Sequence, residues 1–318
     1  MSDQEKTADE LFHMHSFETP EARLAASRLS VAKRQWMIEH MLVEYHTFNV
    51  GTRQIATLHK PFDGGTASGG KVGALLGESR TGKSWICEAY AARHPPRVET
   101  DQEVFPVLYL PADVRWTPFD FAQEVNTRTD NPFATRRGGE KEYIRRAISR
   151  LYDLKVELLI VDDAQYLFFE RRADTVMDMF KILKRILDIK QTSILLSGEE
   201  RVDDFVSSID AFKRRGYNRE PLRQLTGSDR DLVKFGSLLK SIDRRLPFAE
   251  SSGLDAKAIR NDIHKFSNGL IGVVMDLIWA ASARAINRGG LRIMLEDLRA
   301  ASLPRAGLGD PYKYFRSA

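Results

Sequence analysis

The stretch Gly77-Glu78-Ser79-Arg80-Thr81-Gly82-Lys83-Ser84 decides the fold. It reads G-x-x-x-x-G-K-S, the pattern of a backbone loop that wraps phosphate. Its surroundings are those the pattern requires. Residues 72–76 are a continuous apolar run, which predicts a buried strand, and residues 84–92, with Trp85 near the start, carry helix formers and neither Gly nor Pro. Strand, glycine loop and helix together let backbone N–H groups and the helix N-terminus point at phosphate oxygens. Gly77, Glu78, Ser79, Arg80, Thr81, Gly82, Lys83, Ser84 and Trp85 are therefore the expected ATP contacts. Lys83 is expected to reach the β- and γ-phosphates, and the Ser84 hydroxyl to hold Mg²⁺.

Downstream, residues 156–161 are again continuously apolar and end in Asp162-Asp163. A carboxylate at the C-terminal end of a strand beside the loop completes a Mg²⁺ shell, so Asp162 is the second expected metal position. Residues 194–196 form another short apolar run, followed by Ser197-Gly198. A polar side chain there touches the γ-phosphate or the lytic water, or simply ends the strand. Buried strands at 72–76, 104–110, 156–161 and 194–196 alternate with amphipathic helices at 140–154 and 173–189. That alternation predicts a parallel sheet with helices on both faces.

Outside this core the expectations are coarser. Residues 21–45 read as one helix and 52–58 as a short second one, whereas 111–140 read as irregular because of Pro111, Pro118, Pro132, Gly138 and Gly139. Helices are expected at 229–241, 255–267, 271–287 and 293–301. The resulting division is an N-terminal helical extension (1–50), an α/β core (51–228), a helical lid (229–303) and a tail (304–318).

The chain has 318 residues, is 42% hydrophobic and 29% charged, and carries a net charge of +4. These values fit a globular protein and permit nucleic-acid binding without requiring it. No apolar run approaches the ~18 residues of a membrane span, so no membrane partner is expected. The single Cys87 excludes an internal disulfide framework. The polar N-terminus MSDQEKTADELF lacks the pattern of a secretory signal, and a cytoplasmic, bacterial location is expected.

Two basic groups stand out. Arg214, Arg215 and Arg219 lie after a helix and before the lid, where a permanently charged fork suits a neighbouring subunit's γ-phosphate. Arg215 is the preferred member, and a solvated basic loop is the plainer reading. Arg128, Thr135, Arg136, Arg137 and Lys141 mix cations with hydroxyls, as backbone contacts to duplex DNA do, without reading sequence. Arg145 and Arg146 read as an exposed helix face. In the tail, Tyr312, Tyr314 and Phe315 between basic residues suit a short recognition peptide, although chain ends are commonly unstructured.

With GESRTGKS and LLIVDDAQYL in place, the segments LRQLTGSDRDLVKFGSLLKSIDRRLPF, SSGL and SNGLIGVVMDLIWAASARAINRGG complete a resemblance to the TniB/TnsC family of AAA+ transposition ATPases over roughly residues 20–300. The resemblance implies a P-loop AAA+ core, an α/β fold with a parallel sheet flanked by helices, plus a small C-terminal helical lid. It also implies an ATPase that assembles as a homo-oligomeric ring or filament on duplex DNA and links a target selector of the TniQ type to a transposase. Asp163 stands where such ATPases usually carry the Glu that orients the attacking water. A base must come within about 3 Å of the proton it takes, so the shorter Asp predicts slow or partner-stimulated turnover. After Gly269 come Leu270, Ile271 and Gly272, with no lid arginine, which points the same way. Two other readings stay open. One is a replication-initiator or helicase-loader-like AAA+ ATPase; the other is an interaction module that binds ATP and hydrolyses almost none.

Overall fold

The computed structural model describes residues 7–131, 139–304 and 314–316. Its elements are α1 (Ala8–Leu11), α2 (Pro20–Ser27), α3 (Val31–Glu39), α4 (His46–His59), β1 (Val72–Leu76), α5 (Lys83–Ala92), β2 (Arg97–Glu99), β3 (Gln102–Val104), β4 (Val107–Pro111), α6 (Pro118–Arg128), α7 (Glu140–Asp153), β5 (Leu158–Asp162), α8 (Gln165–Phe168), α9 (Ala173–Asp188), β6 (Ser193–Gly198), α10 (Arg201–Ser208), α11 (Asp210–Lys213), β7 (Asn218–Pro221), α12 (Asp229–Arg245), α13 (Lys257–Ser267), α14 (Ile271–Asn287) and α15 (Leu295–Ser302). They form two compact units. One comprises residues 1–8, 49–79 and 83–222; the other comprises 9–48, 80–82 and 223–318.

The first unit is built on a five-stranded sheet in the order β4-β5-β6-β1-β7. β1, β5 and β6 are buried along their whole length. Strands with no exposed face need helices on both sides, which is why their sequences are apolar without alternation. All four pairings are parallel, and Leu75 sits opposite Ser197 and Pro111 opposite Asp162. This register brings the C-terminal ends of β1, β4, β5 and β6 to one edge of the sheet. α9 buries Met179, Ile182, Leu183, Ile186 and Leu187 on one stripe. Each such side chain contributes roughly 1.5–3 kcal/mol when taken out of water.

Three sequence expectations are corrected. Residues 111–140 contain α6, because Pro118 occupies its first turn, where the missing N–H costs nothing, and Thr117 and Asp120 close a capping box. The strand expected over 104–110 is split at Pro106. Before it, β2 and β3 form a hairpin whose two-residue loop, Thr100-Asp101, has φ of 48° and 63°, the left-handed pair that a tight hairpin turn requires. The helix expected over 21–45 is two helices, since the Ser30 hydroxyl caps Lys33 N and starts α3 anew. The edge strand β7 was not foreseen, because Asn218-Arg219-Glu220-Pro221 is polar and mostly exposed.

In the second unit, α12 to α15 enclose a core that includes Phe235, Leu239, Ile242, Phe248, Ile263, Leu277, Ile278 and Leu298. The N-terminal segment belongs to this unit. Phe17 N donates to Arg244 O (2.7 Å), and a ring nitrogen of His13 lies 3.0 Å from Arg245 O. Asp243 is buried and accepts from Ser251 Oγ, Ser252 N and Gly253 N, which satisfies the carboxylate and fixes the loop after α12.

Candidate nucleotide-binding site

β1 ends at Leu76 and α5 begins at Lys83, so the glycine motif forms the loop between them. Gly77 N donates to Gly198 O at 3.1 Å, joining the loop to the end of β6. Arg80 and Gly82 take φ of 71° and 93°. At Gly82 that conformation is open to glycine at little cost, and it turns the chain into the helix. The Lys83 ammonium donates to Gly77 O (2.9 Å) and Glu78 O (2.8 Å) and is buried. Burial pulls its pKa down, and the charges of Asp162, Asp163 and Glu199 act against that. Glu78 and Ser79 are exposed, Thr81 is buried, Trp85 is half-buried, and Ser84 presents an exposed hydroxyl in the first turn of α5. Arg80 is tied within the second unit: it donates to Gly272 O (3.2 Å) and pairs with Asp276. A pocket of ≈ 330 Å³ is lined by Gly77, Glu78, Ser79, Glu199, Glu200 and Arg201.

The acidic half of the site lies on β5. Asp162 is buried, and its two oxygens accept separately, Oδ1 from Ser197 Oγ (2.5 Å) and Oδ2 from Tyr109 OH (3.0 Å). Burial, then the adjacent Asp162 charge, raises the Tyr109 pKa, so the phenol remains a donor. Ser197 is fully buried. Its hydroxyl is committed to Asp162, so an effect of Ser197 on nucleotide would run through that carboxylate.

Asp163 is half-buried at φ 51°. Burial raises its pKa, while the hydrogen bond from Gln165 works the other way. Gln165 Nε2 donates to Asp163 Oδ1 (2.9 Å), and Gln165 Oε1 accepts from Glu199 N (3.2 Å). Gly198 makes room for this bridge: a Cβ there would stand 2.5 Å from Gln165 Oε1. Tyr109, Gln165 and Glu199 were not expected from the sequence. The one signal for them is position, two residues after Asp163 for Gln165 and the strand ends next to Asp162 for the others.

These residues fit Mg-ATP. Asp162 accepts one hydrogen bond on each oxygen and keeps further lone pairs. The exposed Ser84 hydroxyl adds a second hard oxygen, and Mg²⁺ ordinarily takes one or two protein oxygens together with phosphates and water. When bound, Mg²⁺ supplies neutralisation of charge on the β- and γ-phosphates. The loop N–H groups and Lys83 would hold the phosphates, and Asp163 would accept a proton from water, positioned by Gln165.

The three arginines before the lid separate clearly. Arg215, preferred from the sequence, is turned into its own unit: it donates to Gly70 O (3.3 Å) and Leu187 O (3.1 Å) and pairs with Asp188. It thus caps the C-terminal end of α9, where a cation is favoured. Arg219 pairs with Asp203. Arg214 is exposed; its backbone N–H donates to Asp210 O (3.0 Å) at the end of α11, and its guanidinium has no hydrogen-bond or ion-pair partner among the described residues. The preferred Arg215 is thus engaged within its own unit, and of the three it is Arg214 whose guanidinium is left unpaired among the described residues. Among the residues expected at DNA, Thr135, Arg136 and Arg137 lie outside the described residues. Lys141 is exposed, and Arg128 pairs with Glu124 along α6. Arg145 and Arg146 both pair with Glu142; Arg145 is exposed as expected, whereas Arg146 is half-buried.

Comparison with known proteins agrees with this geometry. The family described as AAA domain matches residues 66–206. No curated protein sequence matches the chain. Among solved structures, the chain is similar to the Orc1 protein of Aeropyrum pernix in complex with DNA, with a TM-score of 0.58 and 17% identity over 83% of this chain and 66% of that one. It is similar to the Orc2 protein of the same organism in ADPNP–ADP complexes (TM-score 0.53, 12% identity, 83% of this chain and 68% of that one). A third likeness is to the Walker-type ATPase PABY2304 of Pyrococcus abyssi (TM-score 0.52, 15% identity, 81% and 71%). The chain thus spans about two thirds of the length of the first of these. The fold is that of an AAA+ P-loop ATPase: a parallel five-stranded α/β core with flanking helices.

Proposed function

We propose that this chain is an ATP-dependent AAA+ ATPase that works on duplex DNA, in the manner of a replication initiator or helicase loader. The observation that carries the nucleotide half is the meeting of Lys83, Asp162 and Ser197 at one end of the sheet, in the register β1-β6-β5. The DNA half is supported by the likeness to a structure solved with DNA, by the net charge of +4 and by exposed Lys141. Hydrolysis is expected to be slow, because Asp163 is one methylene shorter than the usual Glu. A second reading, a regulator of DNA transposition that bridges a target selector and a transposase, is favoured by one specific observation: the sequence of the lid segments, LRQLTGSDRDLVKFGSLLKSIDRRLPF above all.

Electron microscopy of the chain with duplex DNA and a slowly hydrolysed ATP analogue, ADP or no nucleotide tests the shared part. Rings or filaments on DNA with the analogue alone are expected. Free particles in all three conditions would overturn it. A pull-down of a replicative helicase against a transposase then separates the two readings.

A further inference from the structure

The last described residues of the chain are gripped as a ligand is gripped. Phe315 is fully buried among the apolar side chains of the second unit. Its N–H donates to Asp262 Oδ2 on α13 (2.7 Å), and its C=O accepts from Nε and Nη2 of Arg299 on α15 (2.8 and 2.5 Å). One acidic and one basic side chain from two helices therefore hold both polar groups of one residue, with charge assistance on each side. The Tyr314 ring meets Phe266 of α13 edge-on, with centroids 5.4 Å apart. Phe315 has φ of 55°, a left-handed conformation that is unfavourable outside glycine. A residue keeps such a conformation only where its surroundings over-determine it.

We propose that α13 and α15 form an acceptor site for an aromatic peptide segment. In this structure it is filled by the chain's own Tyr314–Phe315, and it takes the same segment from a second copy of the chain when copies meet. The described polar and ring contacts run from Tyr314 and Phe315 to Asp262, Phe266 and Arg299, and the Phe315 ring adds the apolar core of the second unit. None depends on which chain carries the tail. Nine residues, 305–313, join the tail to the residues after α15, and nine residues reach at most about 30 Å when extended. Exchange of an identical segment between copies adds no new type of contact. The inference goes beyond the nucleotide reading and does not rest on it.

The test is a fluorescent peptide of residues 312–318, titrated without nucleotide and followed by anisotropy. Three forms are compared: the full chain, the chain ending at Pro304 and full-length Phe315→Ala. The peptide is expected to bind the last two at least roughly tenfold more tightly than the full chain, whose site is filled in cis. A peptide with Phe315→Ala, and protein carrying Arg299→Ala, are each expected to lose roughly tenfold or more. Exchange between copies is read by mixing full-length Phe315→Ala, which has the site but no anchor, with full-length Arg299→Ala, which has the anchor but a weakened clamp. The mixture is expected to form pairs that neither protein forms alone. Absence of peptide binding to a folded Phe315→Ala chain, equal binding of the Phe315→Ala peptide, or no association in the mixture overturns the proposal.

Discussion

The Ser197 hydroxyl donates to Asp162 Oδ1 across 2.5 Å and joins the C-terminal ends of two adjacent parallel strands. Ser197→Ala leaves a buried carboxylate with one donor fewer. Hydrogen bonds to charged groups contribute about 1.5–3 kcal/mol, so a loss of stability near that size is expected in denaturant melts. Asp162 would also be less firmly placed for a cation. Mg²⁺-dependent nucleotide affinity is therefore expected to fall more than affinity measured with EDTA present. Equal losses with and without Mg²⁺ would show that Ser197 acts on the nucleotide directly.

Lys83→Ala and Asp163→Asn are expected to part company. Lys83 lies on the loop and would meet phosphate, so Lys83→Ala abolishes binding of a fluorescent ATP analogue. Asp163 is held beside the loop by Gln165. Asp163→Asn keeps binding and loses phosphate release, by about 100-fold or more, the usual contribution of a positioned base. If both variants lose binding, Asp163 belongs to the binding site and not to the chemistry.

Gly198→Ala tests the bridge itself. The added Cβ would stand 2.5 Å from Gln165 Oε1, so the amide must move and release Asp163. Turnover is expected to drop with nucleotide affinity nearly unchanged, and Gln165→Ala should reproduce the pattern. A Gly198→Ala chain with normal turnover would mean that Gln165 does not position Asp163.

Arg214 and Arg215 are neighbours with opposite expectations. Arg215→Ala removes a cap from α9 together with the Asp188 pair, and a stability loss of about 1–2 kcal/mol is expected. Arg214→Ala removes an exposed guanidinium with no polar partner among the described residues, so the melt should not move. What it is expected to lose is the rise in ATPase rate per subunit with protein concentration. A normal concentration dependence in folded Arg214→Ala would remove it as the group acting across subunits.

The core of the site was legible because its parts are local in sequence. The glycine loop, its strand and its helix occupy one uninterrupted stretch, and Asp162 ends an apolar run that only a doubly covered strand explains. What escaped was set by tertiary register. Tyr109 reaches Asp162 only because β4 lies beside β5, and nothing in VLYLP announces that contact. Arg215 and Arg214 look alike in a sequence, and the carbonyls of Gly70 and Leu187 separate them. α6 is hidden for a local reason: in the sequence Pro118 reads as a breaker, whereas in the fold it serves as a first-turn residue. β7 was missed because a short polar edge strand owes its existence to β1 and not to its own side chains.

A second buried network, away from the nucleotide loop, gives the pH dependence of stability. His59 is fully buried at the end of α4, with Nε2 2.7 Å from Glu157 Oε2 and Nδ1 3.0 Å from Tyr90 OH. An Nε2–H tautomer satisfies both contacts, donating to the carboxylate and accepting from the phenol. Lys60 adds a cation 3.3 Å from the same carboxylate. Burial alone would raise the Glu157 pKa; the His59 hydrogen bond and the Lys60 charge outweigh it, and the group sits below its ordinary 4.5. A carboxyl with a depressed folded pKa contributes stability that is complete above the unfolded value and disappears as pH falls through the folded one. Glu157→Gln cannot ionise and lacks that contribution. The wild-type chain is therefore expected to be more stable than Glu157→Gln at neutral pH, with the gap closing below about pH 4.5. Urea melts of the two proteins from about pH 7 to about pH 3 measure it. A gap that stays constant across that range would show that Glu157 acts through packing and not through its charge.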